Sequence, residues 1–244
     1  MVSNSEKTNA KNLENTHIAN ATIETIPIYN TSNELIIKQA LIDFEAGLGS
    51  RMQTVNATFA AEQTAISAQT AAFKLVPEKI TKIMKAVKGQ NISKESLDHL
   101  MTTVRRLRGV RVSDKTPDNP ATPEDESKAT HSVSRRSIAG ILESLDLFDE
   151  QIQAETNYKP NEEEYKKEAI SAWITSLHAL RNARLEAQAA TTNARQDRDD
   201  FGYDDATGLI PRMNALKNYA ESILDKSDAR LKKIKGLKFV NMKR

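Results

Sequence analysis

Two octets constrain this chain more than anything else in it. Lys232-Lys233-Ile234-Lys235-Gly236-Leu237-Lys238-Phe239 and Arg105-Arg106-Leu107-Arg108-Gly109-Val110-Arg111-Val112 match position by position: basic, basic, aliphatic, basic, Gly, aliphatic, basic, apolar. Their starts lie about 130 residues apart, in a chain of 244. That leaves room for two related units, each of ordinary domain size.

Other features repeat at nearly the same offset. Thr31 and Glu34 have capping-box spacing, and so do Asn161 and Glu164 in the second half. After the first box, Ile37, Leu41, Phe44, Leu48, Met52, Val55, Phe59, Ile66 and Phe73 fall on one helical face. That spacing predicts a helix from Asn33 to Phe73, about 60 Å long, with a bend at Gly47 and Gly49. Trp173 and Leu177 answer Phe44 and Leu48 in the second half. Both long segments turn Ala-rich in their second halves, where small side chains favour close helix approach. Leu75-Val76-Pro77 and Leu209-Ile210-Pro211 then each open a new helix. Ile80, Ile83, Met84 and Val87 form the buried face of the earlier one, which Gly89 ends. Ser93 caps a further helix bearing Leu97, Leu100, Met101, Val104 and Leu107.

Ser113–Thr130 contains three of the seven prolines and no large apolar residue, and reads as a solvated linker. Residues 1–30 are rich in Asn, Thr and Glu without a helical apolar period, which predicts a flexible tail ending in an extended arm. The arm carries Ile23, Ile26, Ile28 and Tyr29 around Pro27. It either lies on its own domain or reaches a neighbouring subunit. The expected fold is therefore all-α: two tandem related helical bundles, each built on one long helix. The units span residues 31–112 and 131–240, with the linker at 113–130 and a short tail at 241–244.

In the second unit, Ser137, Leu145-Asp146-Leu147-Phe148-Asp149, Tyr158-Lys159-Pro160-Asn161-Glu162, Asn193-Ala194-Arg195-Gln196-Asp197-Arg198-Asp199, Thr207-Gly208-Leu209 and Gly236-Leu237-Lys238-Phe239 occur in order. This resembles a family of uncharacterised all-helical bacterial proteins with a Tyr-x-Pro-Asn-Glu turn, an Asn-Ala-Arg-x-x-Arg segment, a Thr-Gly-Leu turn and a Gly-Leu-Lys-Phe end. The likeness covers roughly residues 134–240 well and the first unit loosely. It implies a helical tandem layout and supplies no activity.

A search for chemistry leads away from catalysis. With no Cys, thiolate metal sites and Cys nucleophiles are excluded. His17, His99, His131 and His178 are scattered and fit no metal motif. The acidic stretch Asp197–Asp205 lacks the EF-hand order, and its arginines offset the charge. No Gly-rich phosphate loop or nucleophile elbow is present. The expectation is a non-enzymatic protein without a cofactor.

What remains is association. After each octet glycine the pattern alternates, with Val110 and Val112 in one copy and Leu237 and Phe239 in the other, as in a short strand. Such pieces pair within the chain or between chains. The leading function is a self-assembling structural or interaction protein whose partner is itself or another protein. The alternative is nucleic-acid association through Arg105, Arg106, Arg108 and Arg111 with Lys232, Lys233, Lys235 and Lys238. Against the alternative stand a formal net charge of +2 and an aromatic content of 5%. A membrane-active reading lacks any long apolar hairpin. No apolar run is long enough for a transmembrane span and no apolar leader is visible, so the expected location is cytoplasmic.

Overall fold

A computed structural model describes residues 4–108 and 137–242 of the protein. Among the described residues every regular element is helical and there is no strand, in keeping with the all-α expectation. In chain order the helices are α1 (Asn4–Glu24), α2 (Lys38–Lys74), α3 (Val76–Lys88) and α4 (Lys94–Leu107). They are followed by α5 (Ile138–Ala154), α6 (Lys167–Gly202), α7 (Leu209–Ile223) and α8 (Ala229–Gly236). A 3-10 turn, Glu163–Tyr165, precedes α6. The linker expected at 113–130 lies outside the described residues.

The compact units do not follow the order of the chain. One, the α1 unit, comprises residues 4–62 and 187–242: α1, the start of α2, the end of α6, α7 and α8. The other, the α5 unit, comprises residues 63–108 and 137–186: the end of α2, α3, α4, α5 and the start of α6. Each unit thus takes its first helix from one half of the chain and its last two helices from the other half. The cause is length. At 37 and 36 residues, α2 and α6 are each about 55 Å long, and each begins in one unit and ends in the other.

Local chemistry sets several helix ends. Pro77 occupies the first turn of α3, where its missing N–H is harmless, and Gly89 closes the helix. Ser93 and Ser137 accept hydrogen bonds from the N–H groups of Ser96 and Gly140 as side-chain caps of α4 and α5. Asp228 caps α8 by accepting from Arg230.

The two expected capping boxes do not start their helices. Thr31 Oγ1 accepts from Asn33 N–H, and Asn33 Oδ1 accepts from Leu35 N–H, so both side chains serve a turn. α2 begins only at Lys38, and α6, with the 3-10 turn before it, only at Lys167. A buried tyrosine explains the delay in both places. The Tyr29 hydroxyl donates to the Ile36 carbonyl (2.5 Å), and the Tyr158 hydroxyl to the Tyr165 carbonyl (2.7 Å).

Burial repeats in step with the sequence. Ile23, Tyr29, Leu41 and Leu48 are buried in the α1 unit, and Ile152, Tyr158, Ile170 and Leu177, all at one constant offset from them, in the α5 unit. Val76, Ile80, Ile83 and Val87 on α3 are matched by Leu209, Met213, Leu216 and Ala220 on α7.

Other expectations are corrected. Residues 4–24 form α1, not a flexible tail; most of its buried positions are polar, among them Asn12, Asn15 and Thr16, which are hydrogen-bonded, beside apolar Ala19 and Ile23. The Ala-rich segments are largely solvent-facing, with Gln69 and Thr191 as buried exceptions. Between Asn56 and Ala68, and between Arg181 and Ala190, every residue is exposed or half-exposed. Gly47 and Gly49 do not interrupt α2, which runs unbroken from Lys38 to Lys74. Gly47 answers to packing, since a Cβ there would lie 2.8 Å from Phe201 Cζ. The Phe201 ring itself stacks on Phe44 at 5.2 Å. Gly208 is similarly dictated: a Cβ would fall 2.5 Å from the Asp204 carbonyl oxygen.

The buried phenols make alkaline stability testable. Burial raises the pKa of Tyr158 to about 12, helped by Glu162 and Tyr165, and burial pushes Tyr29 further up. The unfolded phenol ionises near pH 10. Their contribution is therefore complete below about pH 10 and is lost as pH climbs through the folded values. The melting temperature should fall above about pH 10, with the tyrosinate absorbance rising together with unfolding. Full tyrosinate absorbance at about pH 11 with helicity intact would contradict this.

Candidate functional site

The site follows from one difference between α1 and α5. Asn9, Asn12, Thr16 and Ala19 are the counterparts, at the repeat offset, of Ile138, Ile141, Leu145 and Phe148. Both sets have helical seam spacing, but α5 presents four apolar side chains, whereas α1 presents two amides and a hydroxyl before Ala19. Asn9, Asn12, Asn15 and Thr16 are nonetheless buried. A buried amide without partners is costly, so each must find them.

Asn12 and Asn15 find them on the backbone of residues 237–242. Asn12 Nδ2 donates to the Val240 carbonyl (2.8 Å), and Asn12 Oδ1 accepts from the Val240 N–H (3.1 Å). Asn15 Nδ2 donates to the Lys238 carbonyl (2.7 Å). From α7, Lys217 Nζ donates to the Leu237 carbonyl (2.5 Å) and lies 5.5 Å from the centre of the Phe239 ring. Burial lowers the Lys217 pKa. Leu237, Phe239 and Met242 pack on the core of the α1 unit, while Lys238 and Val240 are exposed. Residues 237–240 thus alternate sides in step with their sequence, and they are held by two side-chain amides and an ammonium without a strand partner.

Asn9 belongs to a charged cluster beneath this seam. Arg198, 2% exposed, donates through Nη1 to Glu6 Oε2 (2.5 Å) and through Nη2 to Asp199 Oδ1 (2.8 Å). Arg195 adds a second cation on Glu6, at 3.3 Å. With its amide oxygen turned to the guanidinium, Asn9 accepts from Arg198 Nη2 at 3.0 Å and Nη1 at 3.2 Å, and its Nδ2 donates to the Tyr203 hydroxyl. Asn12 Nδ2 also donates to that hydroxyl (2.9 Å). Burial raises the Tyr203 pKa. Glu6, Asn9, Asn12 and Asn15 could not be found from apolar periodicity, because they occupy core positions with polar side chains. The repeat offset, aligning Asn9 and Asn12 with Ile138 and Ile141, was the signal that could have revealed them.

The other sequence candidates are distributed as follows. Ile23, Ile26 and Tyr29 are buried in the α1 unit of their own chain, whereas Ile28 is 60% exposed. Arg230, Arg212 and Tyr219 hold the arm and the loop after it by donating to the carbonyls of Thr25, Leu35 and Asn30. Arg105, Arg106 and Arg108 lie in the α5 unit and Lys232, Lys233, Lys235 and Lys238 in the α1 unit, so neither unit gathers both clusters. Arg108 donates to Thr81, and Lys235 pairs with Glu221. Val110, Arg111 and Val112 lie outside the described residues.

The acidic stretch is spent on local structure. Asp197 pairs with Arg51, Asp200 accepts from Gln196, and Asp204 accepts from the N–H groups of Ala206 and Thr207. Among the described residues no group of three or more possible ligands gathers around a metal position. No described helix is long and apolar enough to cross a membrane. An open groove of about 820 Å³ runs between α1 and α2 in the α1 unit, lined by Leu13, Ile42 and Met52. Glu45, also on its wall, is held by His17 (2.8 Å) and Asn20 (2.7 Å). No protein-family model, no curated protein and no solved structure matches this chain.

Proposed function

We propose that the protein is a non-enzymatic, self-assembling helical scaffold component made of two copies of one four-helix design. The copies are α1–α4 and α5–α8. Repetition of helix order, of the tyrosine–carbonyl bonds and of the buried positions in the same sequence along the chain supports the duplication.

The observation that carries the reading is the composition of the units. Each core is completed only by helices from both halves, so the fold is itself an association of two similar pieces. A design that closes its core with a second copy is one step from doing so between chains. The basic ends then serve as solvated helix termini, where cations suit the dipole.

The expected result is a mass above 27.2 kDa by light scattering at micromolar concentration. A strict monomer across that range would sink the proposal.

A further inference from the structure

The seam on α1 recognises backbone. Three of the four hydrogen bonds from Asn12, Asn15 and Lys217 to residues 237–240 end on carbonyl oxygens, and the fourth comes from an N–H. None reads a side chain. Sequence selectivity comes from Leu237, Phe239 and Met242, which pack on the core. An amide that both donates to and accepts from one residue's main chain fixes an extended segment as a neighbouring strand would. The cost of burying an asparagine without that segment explains why the amides need it.

We infer that this seam is a receptor for an extended segment, and that in the assembled protein it takes residues 237–242 of a second copy in place of its own. This rests on the self-assembling reading above and names the contact. A second copy offers the same segment and the same seam, so reciprocal exchange keeps every bond and every apolar contact of the closed chain. The hinge is the end of α8. Gly236 has nothing within 4 Å of an added Cβ, and the chain leaves the helix at Leu237 with extended backbone (φ −69°, ψ 127°). Redirecting the segment there breaks no core packing of α8, whose buried residues are Leu231 and Ile234. The closed and exchanged forms then differ by hinge geometry and concentration. The α5 seam, with Ile138 and Ile141 at the matching positions, has no amides to offer.

The chain has no cysteine, so engineered ones report without background. Two full-length variants are mixed at micromolar concentration and treated with a short bis-maleimide: Thr8→Cys on α1, one turn from the Asn12 that binds the Val240 backbone, and Val240→Cys in the segment. A third chain carries both changes. Exchange predicts a cross-link between the two single variants, giving a species of twice 27.2 kDa. It also predicts about a tenfold loss of that species when Asn12→Leu is added to the Thr8→Cys chain. Leucine suits the seam, because α5 carries Ile141 there.

Closure of the double variant only within one chain, with no mixed species, overturns exchange. If light scattering still gives a multimer, assembly through another surface survives; if it gives a monomer, both ideas fall. A double variant that closes neither within nor between chains removes the seat of the segment and overturns the inference as well.

Discussion

Arg198→Ala is expected to destabilise the α1 unit by about 3–5 kcal/mol, because it strips the counter-charge from a buried cluster. The guanidinium is 2% exposed, and its carboxylate partners Glu6 and Asp199 have side chains only 18% and 16% exposed. After the change Asp199 loses both guanidinium contacts, Glu6 retains only Arg195 at 3.3 Å among these cations, and the Asn9 amide loses its donors. Arg198→Lys should fall between, since one ammonium cannot fork between two carboxylates. Arg198→Met with Glu6→Gln should recover part of the loss by removing a carboxylate along with the cation. Urea unfolding followed by circular dichroism measures all four chains. A cost below about 1 kcal/mol for Arg198→Ala would place the cluster among ordinary surface pairs and refute its role in docking α1.

Phe148→Ala should cost about as much, roughly 3–5 kcal/mol, by another mechanism. Its ring is fully buried on α5, among Leu142, Leu145 and Ile152, so truncation leaves an apolar cavity. The effects should also separate by location. Trp173, the only tryptophan, packs on the core of the α5 unit, so its fluorescence reports that unit. Phe148→Ala should shift the fluorescence transition fully, and Arg198→Ala should shift helicity more than fluorescence. Equal shifts from both substitutions would mean that the two units unfold as one.

These substitutions also mark where sequence reading succeeded and stopped. The helices α3 and α4 were legible nearly to the residue, because apolar spacing, a first-turn proline and a serine cap all agreed there. α1 was not. Its seam has the same spacing as that of α5, yet Asn9 and Asn12 replace isoleucines, and a polar stripe reads as solvent-facing until its partners are known. Those partners, Tyr203 and Val240, lie 191 and 228 residues away from Asn12, far beyond any local signal. The capping boxes failed for a related reason. Buried Tyr29 and Tyr158 claim the backbone ahead of α2 and α6 and delay both helices by nearly the same amount.

Residue order alone was enough to dictate the helical class, the long spines, the repeat offset and the alternation of Leu237 and Phe239, because each is a local pattern of side-chain size and polarity. Which halves share a core, and which asparagines lie inside it, was settled by packing in three dimensions. Burial turns an amide from a solvated group into one that must be matched, and the match is made by a segment that chain order does not bring near.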